Sequence, residues 1–241
     1  MDVTWIIIAA IIALVLLILF LVSVVRNRRR GEEDQDYHPQ EPRPERRVLT
    51  DEEQQQAFGK HGEDVTFQMI SEIASACGGY AYQNVAFGDD EGYSSEVDAI
   101  LICKGGFFVI EIKSFKGIIA GDVEKDDWYA IRLGHQEDRT LRNPVKQNQG
   151  HINHMKRLGG KGFPYLTSLV IFPYANDISN VKSQVVHDFY SAKEFLLSKV
   201  AEGKYSKETV ERFHRQFQSF LSRYGIFHEE HMARIKEKFD A

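Results

Sequence analysis

Three charged side chains stand in otherwise apolar surroundings: Asp98 in the run from Val97 to Cys103, and Glu111 with Lys113 in the run from Phe107 to Lys113. Side chains alternate along a strand, so Glu111 and Lys113 point to one face, about 7 Å apart along the backbone. The intervening Lys104-Gly105-Gly106 has the spacing and chemistry of a hairpin turn. A two-residue Gly105-Gly106 turn pairs Lys104 with Phe107 and Asp98 with Lys113, which puts all three charges on one face. A three-residue loop shifts the register by one and sends Asp98 to the other face. In the first register, two carboxylates could hold one hard cation, Mg2+ or Mn2+, beside a scissile phosphate, with Lys113 stabilising developing charge. The plain alternative is a solvated strand face carrying a cross-strand ion pair.

A second constellation is basic. No Asp or Glu occurs between Arg139 and Asn176, while Arg139, Arg142, Lys146, Lys156, Arg157 and Lys161 supply six positive charges. Such a stripe favours a polyanion such as DNA or RNA even in a chain of net charge -5. Gln147, His151 and His154 follow i, i+4, i+7 spacing on the helix expected after Asn143-Pro144, so Gln147 and His151 could reach a phosphate or a base edge.

Other motifs carry less. His228-Glu229-Glu230-His231 lacks the i, i+4 histidines of a zinc helix and reads as a solvated terminal helix. Gly159-Gly160-Lys161-Gly162 is too short for a phosphate-binding loop and reads as a turn. Cys77 and Cys103, without C-x-x-C spacing, argue against a disulfide framework and fit a reducing compartment.

The elements that must position these residues are legible in part. Thr50 with Glu53 forms a capping box, and Phe58, Val65, Met69, Ile70 and Ile73 recur at helical spacing until Gly78-Gly79. Tyr80 to Phe87 alternates as a strand, and Leu166 to Phe172 is a buried strand candidate. A helix opens at Asn143-Pro144 and runs to about Leu158. Another covers Ser206 to Arg223, with Val210, Phe213, Phe217 and Phe220 on one stripe and Gly225 closing it. The order describes a mixed α/β domain.

Ahead of this domain, Trp5 to Val22 is an unbroken apolar run of 18 residues, extended past Ser23 by Val24 and Val25. A helix over those positions would be about 31 Å long, enough for one membrane crossing. No Lys or Arg precedes it and Arg26, Arg28, Arg29 and Arg30 follow, which predicts an inner (cell) membrane protein with its amino terminus outside and its carboxy-terminal domain cytoplasmic. Residues 31–50, acidic and with half of the chain's six prolines, read as a disordered linker. The division expected is a transmembrane helix and basic flank (1–30), that linker, an α/β domain (51–180) and a helical extension (181–241).

The acid-bearing hairpin resembles the PD-(D/E)xK nuclease core, with Val97 in the place of the leading proline. Further residues narrow the likeness. Gly59-Lys60-His61-Gly62-Glu63, Asp98, Gly106, Phe108-Val109-Ile110-Glu111-Ile112-Lys113, Gly117, Trp128 and Asn143-Pro144 with Gln147 resemble the nuclease-related domain, NERD, over roughly residues 57 to 175. The resemblance implies a restriction-endonuclease-like mixed sheet flanked by helices. It also implies an active site of Glu63, Asp98, Glu111 and Lys113, with Gln147 in the following helix and Glu63 as a third carboxylate for the cation. A membrane-anchored, metal-dependent nuclease is thus the leading expectation, and a membrane-tethered module that binds nucleic acid or protein without catalysis is the rival.

Overall fold

The computed structural model describes residues 18, 50–132, 134 and 138–240. The expected membrane span, its arginine flank and the linker up to residue 49 lie outside the described residues, Ile18 excepted. Among the described residues no helix is long and apolar enough to cross a membrane.

Residues Leu49–Ala241 form one compact unit. It opens with α1 (Asp51–Cys77), whose capping box is formed as expected, with Glu53 N–H donating to Thr50 Oγ1 at 3.2 Å and Thr50 N–H to Glu53 Oε2 at 2.8 Å. Asp51, Glu52 and Glu53 also complement the positive end of the helix dipole. Three antiparallel strands follow, β1 (Tyr80–Gly88), β2 (Ser94–Cys103) and β3 (Gly106–Ile112). The chain then makes β4 (Gly117–Gly121), β5 (Asp127–Ile131), β6 (Arg139–Arg142), α2 (Pro144–Gly159), β7 (Leu166–Phe172), β8 (Ala175–Val181) and β9 (Val186–Asp188). Helices α3 (Phe189–Glu202), α4 (Lys207–Tyr224) and α5 (His228–Asp240) complete it.

Two sheets result. The larger has the order β1-β2-β3-β7-β9, with β7 parallel to both neighbours, and the smaller has the order β6-β5-β4-β8. The larger sheet is the middle of three layers. On one face Leu101, Phe108, Ile110 and Ile171 meet Met69, Ile70 and Ile73 of α1 and Leu196 of α3. On the other Ile100, Ile102, Phe107 and Val109 meet Ile152 and Met155 of α2 and the aromatic stripe of α4. Every residue of β3 is buried, as a strand covered on both faces requires. Trp128 and Leu141 of the smaller sheet close over Val170 and Phe172 at the end of β7.

One sequence expectation about the fold needs correction. The hairpin turn is Lys104-Gly105, not Gly105-Gly106, because Cys103 pairs with Gly106. The tip of this turn is packed rather than free: a Cβ on Gly105 would meet the backbone of Lys199 in α3 at 2.6 Å, and Lys104 O accepts from Tyr205 N–H at 2.9 Å. The contact comes from a distant helix and leaves no trace in the hairpin's own residues. Gly225 ends α4 as expected, in an extended conformation that bridges to Phe87.

Candidate active site

The larger sheet comes apart locally at Asp98. On one side Asn84, directly across in β1, adopts φ 50°, and the ladder passes from Gln83↔Ala99 to Val85↔Val97 without it. On the other side the β2–β3 ladder stops at Ala99↔Ile110. The register, two residues from the one expected, sets Asp98 across from Glu111 instead of Lys113. A shift of two preserves the face, so Asp98, Glu111 and Lys113 do share one side of the sheet. Ile112 N–H, which has no β2 carbonyl to meet there, donates to Asp98 Oδ2 at 2.6 Å.

Glu111 is 1% exposed. Its Oε1 is ion-paired with Lys113 Nζ at 2.6 Å, whereas its Oε2 has no hydrogen-bond partner. His151 Nε2, also without a partner, stands 3.7 Å from that oxygen. Glu63 approaches from α1, which comes close to the strand because Gly62 has no side chain: a Cβ there would lie 2.0 Å from Ser114 Oγ.

The electrostatics follow from burial and crowding. Burial, and then the Glu111 charge, push the Asp98 carboxyl up to about 7. Burial raises Glu111 against the opposing pull of Lys113, and burial followed by Asp98 raises Glu63. Burial acts to lower Lys113, but Glu111, Asp98 and Glu63 together hold it above the ordinary lysine value. Burial and the Lys113 charge bring His151 down to about 4, so its imidazole is neutral at pH 7.

Other sequence candidates are placed as follows. Gln147 is exposed, one turn before His151 on α2. The basic stripe does not stay one surface. Arg142 and Lys146 line a cleft of about 920 Å³ together with Gln147, while Arg139 lines a groove of about 300 Å³ beside Lys116 and Phe58. Arg157 is ion-paired with Asp89 at 2.5 Å, and Lys156 lies 5.6 Å from the Tyr165 ring. His154 is not a free surface histidine, since its Nδ1 is 2.9 Å from Ser95 Oγ. The expected solvated terminal helix is present at His228, Glu229 and Glu230, which are exposed, but His231 departs from it. His231 is 7% exposed with Nδ1 2.8 Å from Ser94 Oγ, and His228 Nδ1 is 2.7 Å from Glu96 Oε2.

Sequence reasoning misses Glu96. It lies two residues before Asp98 on the same strand face, and its charge raises both Asp98 and Glu63. The period-two spacing of Glu96 and Asp98 is the signal that could have found it.

Among the described residues no group of three or more His, Cys, Asp or Glu side chains is gathered as a metal site. The donor chemistry nevertheless fits a hard cation. Glu111 Oε2 is a buried carboxylate oxygen without a donor, and burial followed by neighbouring negative charge raises both Asp98 and Glu63, a cost that a bound cation would relieve.

Fold and site together define a mixed α/β domain whose central sheet carries a buried acid-and-lysine cluster. Residues 58–173 are a NERD, nuclease-related, domain. The chain is also similar to an uncharacterized protein of Bacillus anthracis, 27% identical over 133 residues, which are 55% of this chain and 61% of the relative. The chain thus spans about three fifths of that relative's length. No solved structure matches it.

Proposed function

We propose that this protein is a divalent-metal-dependent nuclease, hydrolysing phosphodiester bonds of DNA or RNA on a restriction-endonuclease-like core. The segment Trp5 to Val25 would hold it in the inner membrane with the domain in the cytoplasm. The observation that carries the reading is the Glu111 carboxylate, 1% exposed with Oε2 unpartnered, beside Asp98 and Lys113. Burying a carboxylate costs several kcal/mol, and packing does not need one there. Its place in the Glu-x-Lys pattern of a nuclease-related domain supports a chemical reason for keeping it.

Asp98 and Glu111, with Glu63, would hold Mg2+ or Mn2+. When bound, the ion supplies polarisation of a phosphate oxygen and a more acidic water. Lys113 provides a fixed ammonium for negative charge developing on the phosphate, without reorganisation during the reaction. His151, neutral at pH 7, offers Nε2 as a hydrogen-bonding group at the same place. Gln147, on the approach along α2, would orient the substrate.

The test is cleavage of labelled single- and double-stranded DNA and RNA by the full chain in Mg2+, Mn2+ or EDTA, together with Mn2+ titration by calorimetry. Metal-dependent cleavage that Glu111→Gln abolishes is expected. The second reading, a binding module without catalysis, is favoured by one observation: Lys113 already engages Glu111, and the carboxylates are not gathered around a common point. Binding of nucleic acid by the wild type, with no cleavage in any metal, would establish that reading instead.

A further inference from the structure

The 920 Å³ cleft has walls of two origins. One is the start of α2 and the adjoining strands, with Arg142, Lys146 and Gln147 beside Asp126 and Asp127, and the other is α5, with Arg234 and Lys238. The helix α5 lies beyond residue 173, where the nuclease-related domain ends. It is fixed against β2 by the His231–Ser94 and His228–Glu96 contacts. Arg234 adds a third tie, with Nη1 donating to Asp89 O at 2.8 Å and Nη2 to Glu230 Oε1 at 2.7 Å, so its charge is held in place at the wall. Arg142 and Lys238 are exposed, and Lys146 is paired with Asp126 at 2.8 Å.

Both ends of a path across the catalytic cluster are marked. From the cleft, Gln147 leads one helical turn to His151, which stands 3.7 Å from Glu111. At the other end of the cluster's own sequence, Lys113 is followed by Ser114, which lines the smaller groove with Phe58, Lys116 and Arg139. Each mouth holds an aromatic ring with a lysine over it: Tyr93, 53% exposed, 5.0 Å from Lys238 Nζ, and half-buried Phe58, 4.8 Å from Lys116 Nζ and packed on the Tyr174 ring at 4.7 Å, so that Tyr93 is the ring offered to a base. Cations that follow a backbone, combined with rings on which bases stack, are the recognition chemistry of a single strand. A cleft of this volume is on the scale of a small-molecule site, enough for a short run of one strand.

We infer that the substrate is a single-stranded nucleic acid, clamped between α5 and the start of α2 so that its backbone crosses from this cleft over Glu111 and Lys113 into the Phe58 groove. The inference rests on the nuclease reading for the direction of the path, and its test separates the two. Fluorescence anisotropy of a labelled twelve-nucleotide single strand, and of the same sequence as a duplex, is measured on the full chain in EDTA, where metal-dependent cleavage cannot intervene. The single strand should bind at least tenfold more tightly than the duplex. Arg142→Glu with Lys238→Glu should weaken it at least tenfold and reduce the salt slope by about 1.4, at about 0.7 for each phosphate no longer neutralised. Lys193→Glu, exposed on α3 and lining neither groove, should change it less than twofold, and Tyr93→Ala should cost about tenfold by removing a stacking platform.

Duplex preference, or unchanged binding by the double charge reversal, would overturn the clamp while leaving any observed cleavage to support the nuclease reading. Strand binding that meets these expectations without cleavage in any metal would uphold the clamp and remove the nuclease. Anionic lipid vesicles that bind, lose binding with the same charge reversals and displace the strand would assign the cleft to a membrane surface and overturn the nucleic-acid inference.

Discussion

Ile112 donates its backbone N–H to Asp98 Oδ2 at 2.6 Å, so a side chain closes the sheet at the point where the β2–β3 ladder has ended. Asp98 is therefore both a structural acceptor and a member of the charged cluster. The two roles pull in opposite directions, since the hydrogen bond favours the anion while burial and Glu111 favour the acid.

That conflict predicts a particular pH dependence. The Asp98 carboxyl sits at about 7 in the folded protein against a reference of 3.8, so the folded state keeps a proton that the unfolded chain releases. Its contribution to stability is fully present below about pH 4, declines as pH rises, and is lost above about pH 7. Asp98→Asn keeps an acceptor for Ile112 and cannot ionise. Its melting temperature should match wild type near pH 4 and exceed it increasingly up to pH 8. Thermal melts across that range check this; an equal loss of stability at every pH would mean that the buried charge is not what costs stability.

The Glu111–Lys113 pair predicts coupling of another kind. Removing the lysine leaves a carboxylate buried without a counter-charge, and breaking a buried pair typically costs about 3 to 5 kcal/mol. Lys113→Met should therefore be strongly destabilised in urea at pH 7, whereas Glu111→Gln with Lys113→Met should recover most of the loss. Additive effects of the two substitutions would show that the 2.6 Å contact is not energetically coupled.

Much of this was legible because local chemistry and tertiary environment agreed. The Thr50–Glu53 box, the Asn143-Pro144 start and the Val210 to Phe220 stripe each specify their helix from within. The acidic face survived an error in register because a shift of two residues conserves side-chain orientation. What was hidden depends on partners far away in sequence. The smaller sheet is made of short strands with outward polar residues, and β8, Ala-Asn-Asp-Ile-Ser-Asn-Val, buries only Val181. Glu96 gains its place only when α5 docks, and the Lys104-Gly105 turn is set by α3.

Asn84 lies opposite Asp98 with φ 50°, a conformation that costs most L residues about 1 kcal/mol or more. Asparagine tolerates it better than most, and glycine best. Asn84→Gly should be near neutral, while Asn84→Val should lose about 1 to 2 kcal/mol and, by straightening β1, reduce any metal-dependent cleavage further. Equilibrium unfolding of the two variants is the measurement, and equal stability would remove the kink as the device that opens the sheet at Asp98.

Asn148 is the fully buried residue that ties α2 to the sheet. Its Nδ2 donates to Val109 O at 2.9 Å, to Ser168 Oγ at 2.9 Å and to Leu169 O at 3.2 Å, while its own Oδ1 has no partner. His151 comes three residues later on the same helix, so the placement of its Nε2 against Glu111 depends on this anchor. Asn148→Asp retains the shape and removes the donors, setting an acceptor among acceptors. It should lose more stability than Asn148→Leu, because leaving buried polar groups unsatisfied costs about 1 to 3 kcal/mol and an ionised side chain costs more. Assayed at a temperature where both proteins remain folded, each variant should cleave nucleic acid more slowly than wild type, with kcat falling more than KM rises. A change confined to the melting temperature, with kcat intact in the folded protein, would show that α2 holds His151 in place without Asn148.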